Sequence, residues 1–276
     1  MKNKFKNIVY YLLEFLMVIC MFATTILLIM KLTILNSNYL IVKLEENNYY
    51  SDLYNIIETD LEDYLLPSGF DKSILTDLFT EDMLKEEVNS IVKSLYYGEK
   101  INIGYDSVAD NLKKNIDDYL ALNNLKVSDE ESFQKFVDEV LKIYIQRIKL
   151  TDYLDKCSEL ILKICKIVDI LLISFLAIII FVTILIKFVI KMRISVISLI
   201  TTSLLLLIAN YFLFEKINIM DILFWNESVS AVIQSIFFDL SNYFKITAIV
   251  FLGVGISFLI FIILVRRKAK KINIFD

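Results

Sequence analysis

At 276 residues, 57% of them hydrophobic and with a mean hydropathy of +0.61, the chain is too apolar for a soluble domain; with 22% charged residues it is too polar to lie wholly in a membrane. The net charge of −4 hides a separation. Lys31 to Cys157 holds 25 Asp and Glu against 14 Lys and Arg, whereas Met1 to Asn7, Lys187 to Arg193 and Arg266 to Asp276 together hold 11 Lys and Arg against Asp276 alone.

Residues 1–31 place three lysines before Ile8 to Met30, a run of 23 residues interrupted only by Glu14. The run exceeds the apolar core of a secretory signal and lacks a small-x-small cleavage site, so it predicts an uncleaved first transmembrane helix entering from a cytoplasmic N-terminus. Met17-Val18-Ile19 ahead of Cys20 lacks the small residue that lipoprotein processing requires.

Residues 32–160 predict an extracytoplasmic α-helical bundle. Apolar stripes at helical spacing run through Leu53, Ile57, Leu61, Tyr64 and Leu65; Leu84, Val88, Ile91, Val92 and Leu95; Val108, Leu112, Ile116, Tyr119 and Leu120; and Phe133, Phe136, Val137, Val140, Leu141 and Tyr144. Breakers fall between them at Pro67-Ser68-Gly69, Gly98 and Gly104, with a short helix expected over Ile74 to Phe79. Thr80 and Ser107 are placed as N-caps, and Ser128-Asp129-Glu130-Glu131 reads as a capping box. Four such helices bury their stripes only against one another.

Residues 161–193 form the predicted second span and a cytoplasmic turn. Between Ile170 and Ile186 the only polar side chains are Ser174 and Thr183, and Lys187, Lys191 and Arg193 close the run at one end. That one-sided cluster sets the orientation of the whole chain, with basic residues inside and the acidic excess outside. An unbroken helix from Ser128 to Ile190 would measure about 95 Å, so a bend or restart is expected near Thr151-Asp152. Residues 194–214 form the third span, tightly hairpinned to the second. Residues 215–245 are an outer loop in which Trp225 to Leu240 forms an interfacial amphipathic helix. Residues 246–276 form the fourth span and a basic cytoplasmic tail. The expected fold is thus all-α, a four-span integral protein of the cell membrane with both termini cytoplasmic. Its outline of four spans and a large outer loop resembles that of tetraspanins in architecture alone, since their Cys-Cys-Gly pattern is absent and the large loop here comes first.

Chemistry is sparsely written. There is no histidine, hence no HExxH motif and no Ser-His or Cys-His nucleophile, and the five glycines make no phosphate-binding fingerprint. The expectation is a non-enzymatic protein with no catalytic residue, cofactor or metal, the acidic runs Glu58 to Asp63 and Asp117-Asp118 being solvated helix faces. Cys20, Cys157 and Cys165 imply no disulfide framework. Asn226-Glu227-Ser228 matches a glycosylation acceptor, relevant only in a eukaryotic secretory pathway, whereas the Ile, Lys, Asn and Tyr usage fits an AT-rich bacterial genome.

Candidate intramembrane residues are Glu14, about 9 Å into the first span, which either reaches toward the cytoplasmic interface or pairs with Lys187 or Lys191, then Lys187 itself, and Asn210 in the hydroxyl-rich third span. Ser198 with Thr202, and Gly253 with Ser257, carry the small-xxx-small spacing of helix packing. The expected partners are the lipid bilayer and a membrane or envelope protein or further copies of the chain, with no nucleic acid. Two functions fit: an acidic ectodomain that mediates protein interaction or sensing at the envelope, or a small oligomeric transporter or channel subunit using Glu14 and the third span.

Overall fold

The structure is a computed structural model that describes residues 2–99, 105–125, 130–149, 154–186, 188–216 and 227–272. The described residues are mostly helical, with no strand among them. In order they form α1 (Lys2–Leu32), α2 (Ser37–Glu46), α3 (Tyr49–Leu65), a 3-10 turn (Lys72–Leu75), α4 (Glu81–Tyr97), α5 (Asp106–Leu122), α6 (Glu130–Lys149), α7 (Leu154–Leu185), α8 (Phe188–Asn210), a π-helical turn (Tyr211–Glu215) and α9 (Glu227–Ile272). Four stretches are long and apolar enough to cross a membrane: Ile8–Leu32, Ser158–Leu185, Met192–Glu215 and Glu227–Val265. The chain is a multi-pass membrane protein.

Two compact units result. The first comprises residues 1–35, 165–224 and 233–276; the second comprises residues 36–164 and 225–232.

In the second unit the predicted stripes become the core. Ile57, Leu61, Leu84, Val108, Leu112, Ile116, Val137, Val140 and Tyr144 are all buried, and α3 packs on α2, α4 and α6. The local signals behave as residue chemistry requires. Thr80 caps α4 by accepting a hydrogen bond from Met83 N at 3.2 Å, and Gly98 ends α4 in the left-handed region at φ +71°. Gly98 also has a second constraint: a Cβ there would lie 2.6 Å from Leu162 Cδ1.

Two local expectations are corrected. Ser107 is not the cap of α5. The helix begins two residues earlier, at Asp106 behind Tyr105, whose side chain makes no capping bond, so Ser107 lies inside the first turn. The helix expected over Ile74 to Phe79 is a 3-10 turn ending at Leu75, because Asp71 caps Ser73 N at 2.9 Å and Asp77 takes a positive φ of 53° that breaks the run. Leu78 and Phe79 are buried without being helical. An unannounced element is α2, which Asn36 starts by accepting from Asn38 N at 3.0 Å and left-handed Asn48 separates from α3.

The first unit is built on α1, which packs along α8. Towards the Lys31 end, Ile29 joins Leu206, Leu240, Phe244 and Ala248, uniting α1, α8 and α9; towards the basic end, Met17 joins Val182, Ile186 and Ile194, uniting α1, α7 and α8. The outward faces are apolar: Ile173, Ile184, Ile249 and Leu12 are among many large exposed hydrophobic residues, as lipid contact demands.

α9 departs from expectation. A loop was predicted between an interfacial helix over 225–240 and a span from Ile246, yet α9 runs unbroken for 46 residues, about 69 Å at 1.5 Å per residue. No proline occurs in it, and its glycines, Gly253 and Gly255, lie far beyond the expected junction, so nothing chemical stops the helix at Tyr243 to Lys245. The restart expected near Thr151-Asp152 falls on residues 150–153, outside those described; α6 is described to Lys149 and α7 from Leu154. Ser128, Asp129, Gly104, Trp225 and Asn226 lie outside the described residues as well.

Candidate functional site

The polar residues of the first unit fall into two groups at different heights. One is a network at the Lys31 end. Asn210 is buried at 2% exposure, its Oδ1 accepts from Ser241 Oγ at 2.9 Å, and its Nδ2 donates to Glu215 Oε1 at 3.3 Å. Lys245 completes the network through an ion pair with Glu215 at 3.0 Å. The π-helical turn explains the geometry: its i to i+5 repeat, seen in the Lys216 N to Tyr211 O bond of 2.9 Å, brings Glu215 back beneath Asn210, which an ordinary i+4 turn would not. Asn210 therefore joins α8 to α9 with both ends of its amide engaged, and does not line an open polar path. At the same end Lys31 of α1 forms an ion pair with Asp169 of α7. Sequence reading missed both pairs, whose partners are 30 and 138 residues apart in the chain and join different helices.

The other group surrounds a cavity of about 380 Å³ lined by α1, α7, α8 and α9. Thr24 and Thr25 of α1, Thr183 of α7 and Ser195 of α8 contribute hydroxyls, and Met17, Leu28, Leu199 and Phe251 are among the apolar walls. No charged residue lines it among the described side chains. Thr25 Oγ1 donates to its own helix at Met21 O, 2.8 Å away, as Thr33 does to Ile29 O at 2.6 Å. Thr24 differs. It is 94% buried, taking the complement of its 6% exposure, and its Oγ1 has no hydrogen-bond partner among the described residues.

The packing candidates divide. Ser198 and Thr202 are fully buried on α8, and neither hydroxyl has a partner among the described residues. Their neighbour Ser203 donates to Ala248 O at 2.7 Å and ties α8 to α9. Gly253 and Ser257 are exposed among the described residues. A Cβ at Gly253 would meet nothing within 4 Å, and the Ser257 hydroxyl folds back to Gly253 O at 2.8 Å. The close approach is one residue pair away, at Gly255, where a Cβ would lie 2.9 Å from Ile200 Cγ1 and 3.4 Å from Leu199 Cβ. Two residues rotate the position by about 200°, so the Gly255 face meets α8 and the Gly253 and Ser257 face is exposed.

Glu14 is half-buried on α1 and forms no ion pair or hydrogen bond with a described residue. Of its two candidate partners, Lys187 lies outside the described residues, as does the side chain of Lys191. Cys20 is a buried free thiol and Cys165 a partly buried one.

In the second unit, one buried polar contact stands out. Tyr144, fully buried, donates from its hydroxyl to Glu87 Oε2 at 3.1 Å. Burial pushes the Glu87 carboxyl above its ordinary range, partly offset by that hydrogen bond. Burial, then the neighbouring Glu87, pushes the Tyr144 phenol up as well. Tyr50, which donates to Asn89 Oδ1 at 2.6 Å, is raised by burial to about 12. These groups anchor α3, α4 and α6. Most other charges lie on the surface, in pairs such as Lys142 with Glu139 at 3.0 Å and Lys135 with Glu131 at 2.6 Å. No cluster of three or more metal-ligating side chains occurs among the described residues. No protein-family model, no curated protein and no solved structure matches this chain.

Proposed function

We propose that this is a non-enzymatic protein of the cell membrane whose acidic helical unit, residues 36–164, stands on the extracytoplasmic side and binds a protein partner there through its charged surface. The observation that carries the reading is the distribution of charge. The basic residues that flank the apolar helices fall at Met1 to Asn7, Lys187 to Arg193 and Arg266 to Lys271, all on one side when the four helices alternate in direction, and the acidic unit falls on the other. Recognition is assigned to the acidic unit because it folds around a core of its own.

The surface of that unit supports recognition by charge. Glu58 and Asp63 of α3, Glu81, Asp82 and Glu86 of α4, and Asp110, Asp117 and Asp118 of α5 are exposed, and such a field favours a basic partner surface and speeds its encounter. Crosslinking in native membranes tests the reading. A reproducible partner is expected, retained with the unaltered chain and lost when Asp110, Asp117 and Asp118 are changed to lysine. Absence of any partner that responds to these changes would refute the reading.

A further inference from the structure

One end of the acidic unit is assembled from three separate stretches of chain. The segment after α3 runs back along α5. Phe70 meets Tyr119 with ring centroids 5.7 Å apart, Asn115 Nδ2 donates to Ile74 O at 3.0 Å, and Asn111 Nδ2 donates to Leu78 O at 3.2 Å. Residues 70, 74 and 78 therefore follow 119, 115 and 111 in antiparallel register, one helical turn at a time. α6 closes the same end, since the Phe136 ring lies 5.0 Å from that of Phe70 and 5.8 Å from that of Tyr64. Leu66 follows Tyr64 by two residues and Leu122 follows Tyr119 by three, so both stand at this aromatic cluster.

The rings pack on one another, yet the leucines beside them are bare. Leu66 is 74% exposed, Leu122 84% and Leu125 52%, and no described large apolar side chain of this unit is more exposed than the first two. A single exposed leucine is ordinary on a water-facing surface; several gathered around one aromatic cluster mark an interaction surface. The rim of the patch is acidic. Residues 62–72 and 117–136 hold eight Asp and Glu against three Lys. Lys72 is held by Glu62 and Lys135 by Glu131, while Asp63, Asp117, Asp118 and Glu130 are exposed and form no ion pair with a described residue. Such a rim repels an anionic membrane surface and the same end of a second copy, and attracts a cationic partner.

We infer that this end, around Leu66, Leu122 and Leu125, is the surface on which the acidic unit docks its partner, and that the partner is a separate protein presenting apolar side chains set between lysines or arginines. This docking presupposes the partner binding proposed above. The partner's apolar side chains cover the leucines and remove them from water, which supplies the hold. Its cations meet Asp63, Asp117 and Asp118, which speeds the encounter and fixes its orientation.

The test uses the full chain in native membranes with the photo-crosslinker p-benzoylphenylalanine in place of Ala121, an exposed neighbour of Leu122. A control chain carries it in place of Lys93, exposed near Leu95, whose carbonyl accepts from Ser158 Oγ at 3.2 Å towards the other end of the unit. Light is expected to join the Ala121 position to one protein segment of net positive charge with apolar residues between its cations, and the Lys93 position to no such segment. Leu66→Ser combined with Leu122→Ser, which leaves every charge in place and touches only exposed side chains, lowers that yield about tenfold with the melting of the chain unchanged. A joined segment that is neutral or acidic, a second copy of the chain or a lipid overturns the inference. A partner lost on changing Asp110, Asp117 and Asp118 to lysine but kept by the serine pair sinks the docking surface and leaves the charge-based reading standing. A partner that responds to neither set of changes, or no partner, sinks both.

Discussion

The two units solve opposite solvent problems with the same helix. Residues 36–164 put Ile57, Leu112 and Ile116 in a dry core and spread carboxylates and lysines over the surface, often in pairs. The membrane unit turns this inside out. Ile173, Ile184 and Ile249 face outward, and Ser198, Thr202, Ser203 and Asn210 are among the residues that are hidden. In water, burial of apolar area holds helices together. In lipid that force is missing between helices, and close approach of small residues with interhelical hydrogen bonds replaces it. The contrast teaches that truncating a large apolar side chain should be costly in the core of the acidic unit and silent on the outward face of the membrane unit.

The largest expected effect is in the acidic unit. Leu112→Ala opens a cavity in its core and should cost about 2–5 kcal/mol, read as a lower denaturation midpoint, whereas Ile184→Ala on the outward face of α7 should leave stability in nanodiscs unchanged. Next comes the α8–α9 contact. Gly255→Leu forces side-chain atoms into Ile200 and Leu199 and should cost about 1–3 kcal/mol, while Gly253→Leu, with open space around it, should be silent in thermal shift. If the two glycines behave alike, the close approach has been placed on the wrong face. A smaller loss, about 0.6 kcal/mol and at most about 1.7, is expected for Asn210→Leu, together with greater mobility of the Ser241 hydroxyl and the Lys245 pair by spectroscopy on spin-labelled α9.

The smallest effect concerns pH in the acidic unit. Burial raises the Glu87 carboxyl in the folded state above its unfolded value. A raised carboxyl is a penalty that is present in full above the folded pKa and is relieved as pH falls through it towards the unfolded value of 4.5. Stability contributed by this position should therefore rise on acidification just above pH 4.5. Glu87→Gln, which still accepts from Tyr144, should be the more stable form at neutral pH and lose this local dependence in denaturation series.

Much of this architecture was legible because it rests on periodicity and on charge at helix ends. The stripes of α3 to α6, the cap at Thr80 and the four apolar runs are local, and local chemistry dictates them. The misread parts depend on what lies across the chain. Which face of α9 carries the close glycine depends on where α8 lies, so Gly253 and Gly255 could not be separated by spacing. Asn210 resembled a pathway residue until Ser241 and Glu215 were found on its two amide atoms. The continuity of α9 was missed because a change from amphipathic to uniformly apolar character reads as a boundary, although a helix passes through such a change freely when no glycine or proline stands in the way. Thr24 was not singled out at all, for nothing in the sequence separates it from Thr25.

The account depends most on which side of the membrane the acidic unit occupies, and accessibility measures that directly. In a chain whose Cys20, Cys157 and Cys165 are replaced by alanine, Asp117→Cys should react with a membrane-impermeant maleimide on intact cells, and Lys270→Cys only after the membrane is opened. The reverse pattern, with Asp117→Cys protected and Lys270→Cys labelled from outside, would contradict the orientation and with it the proposed site of partner binding.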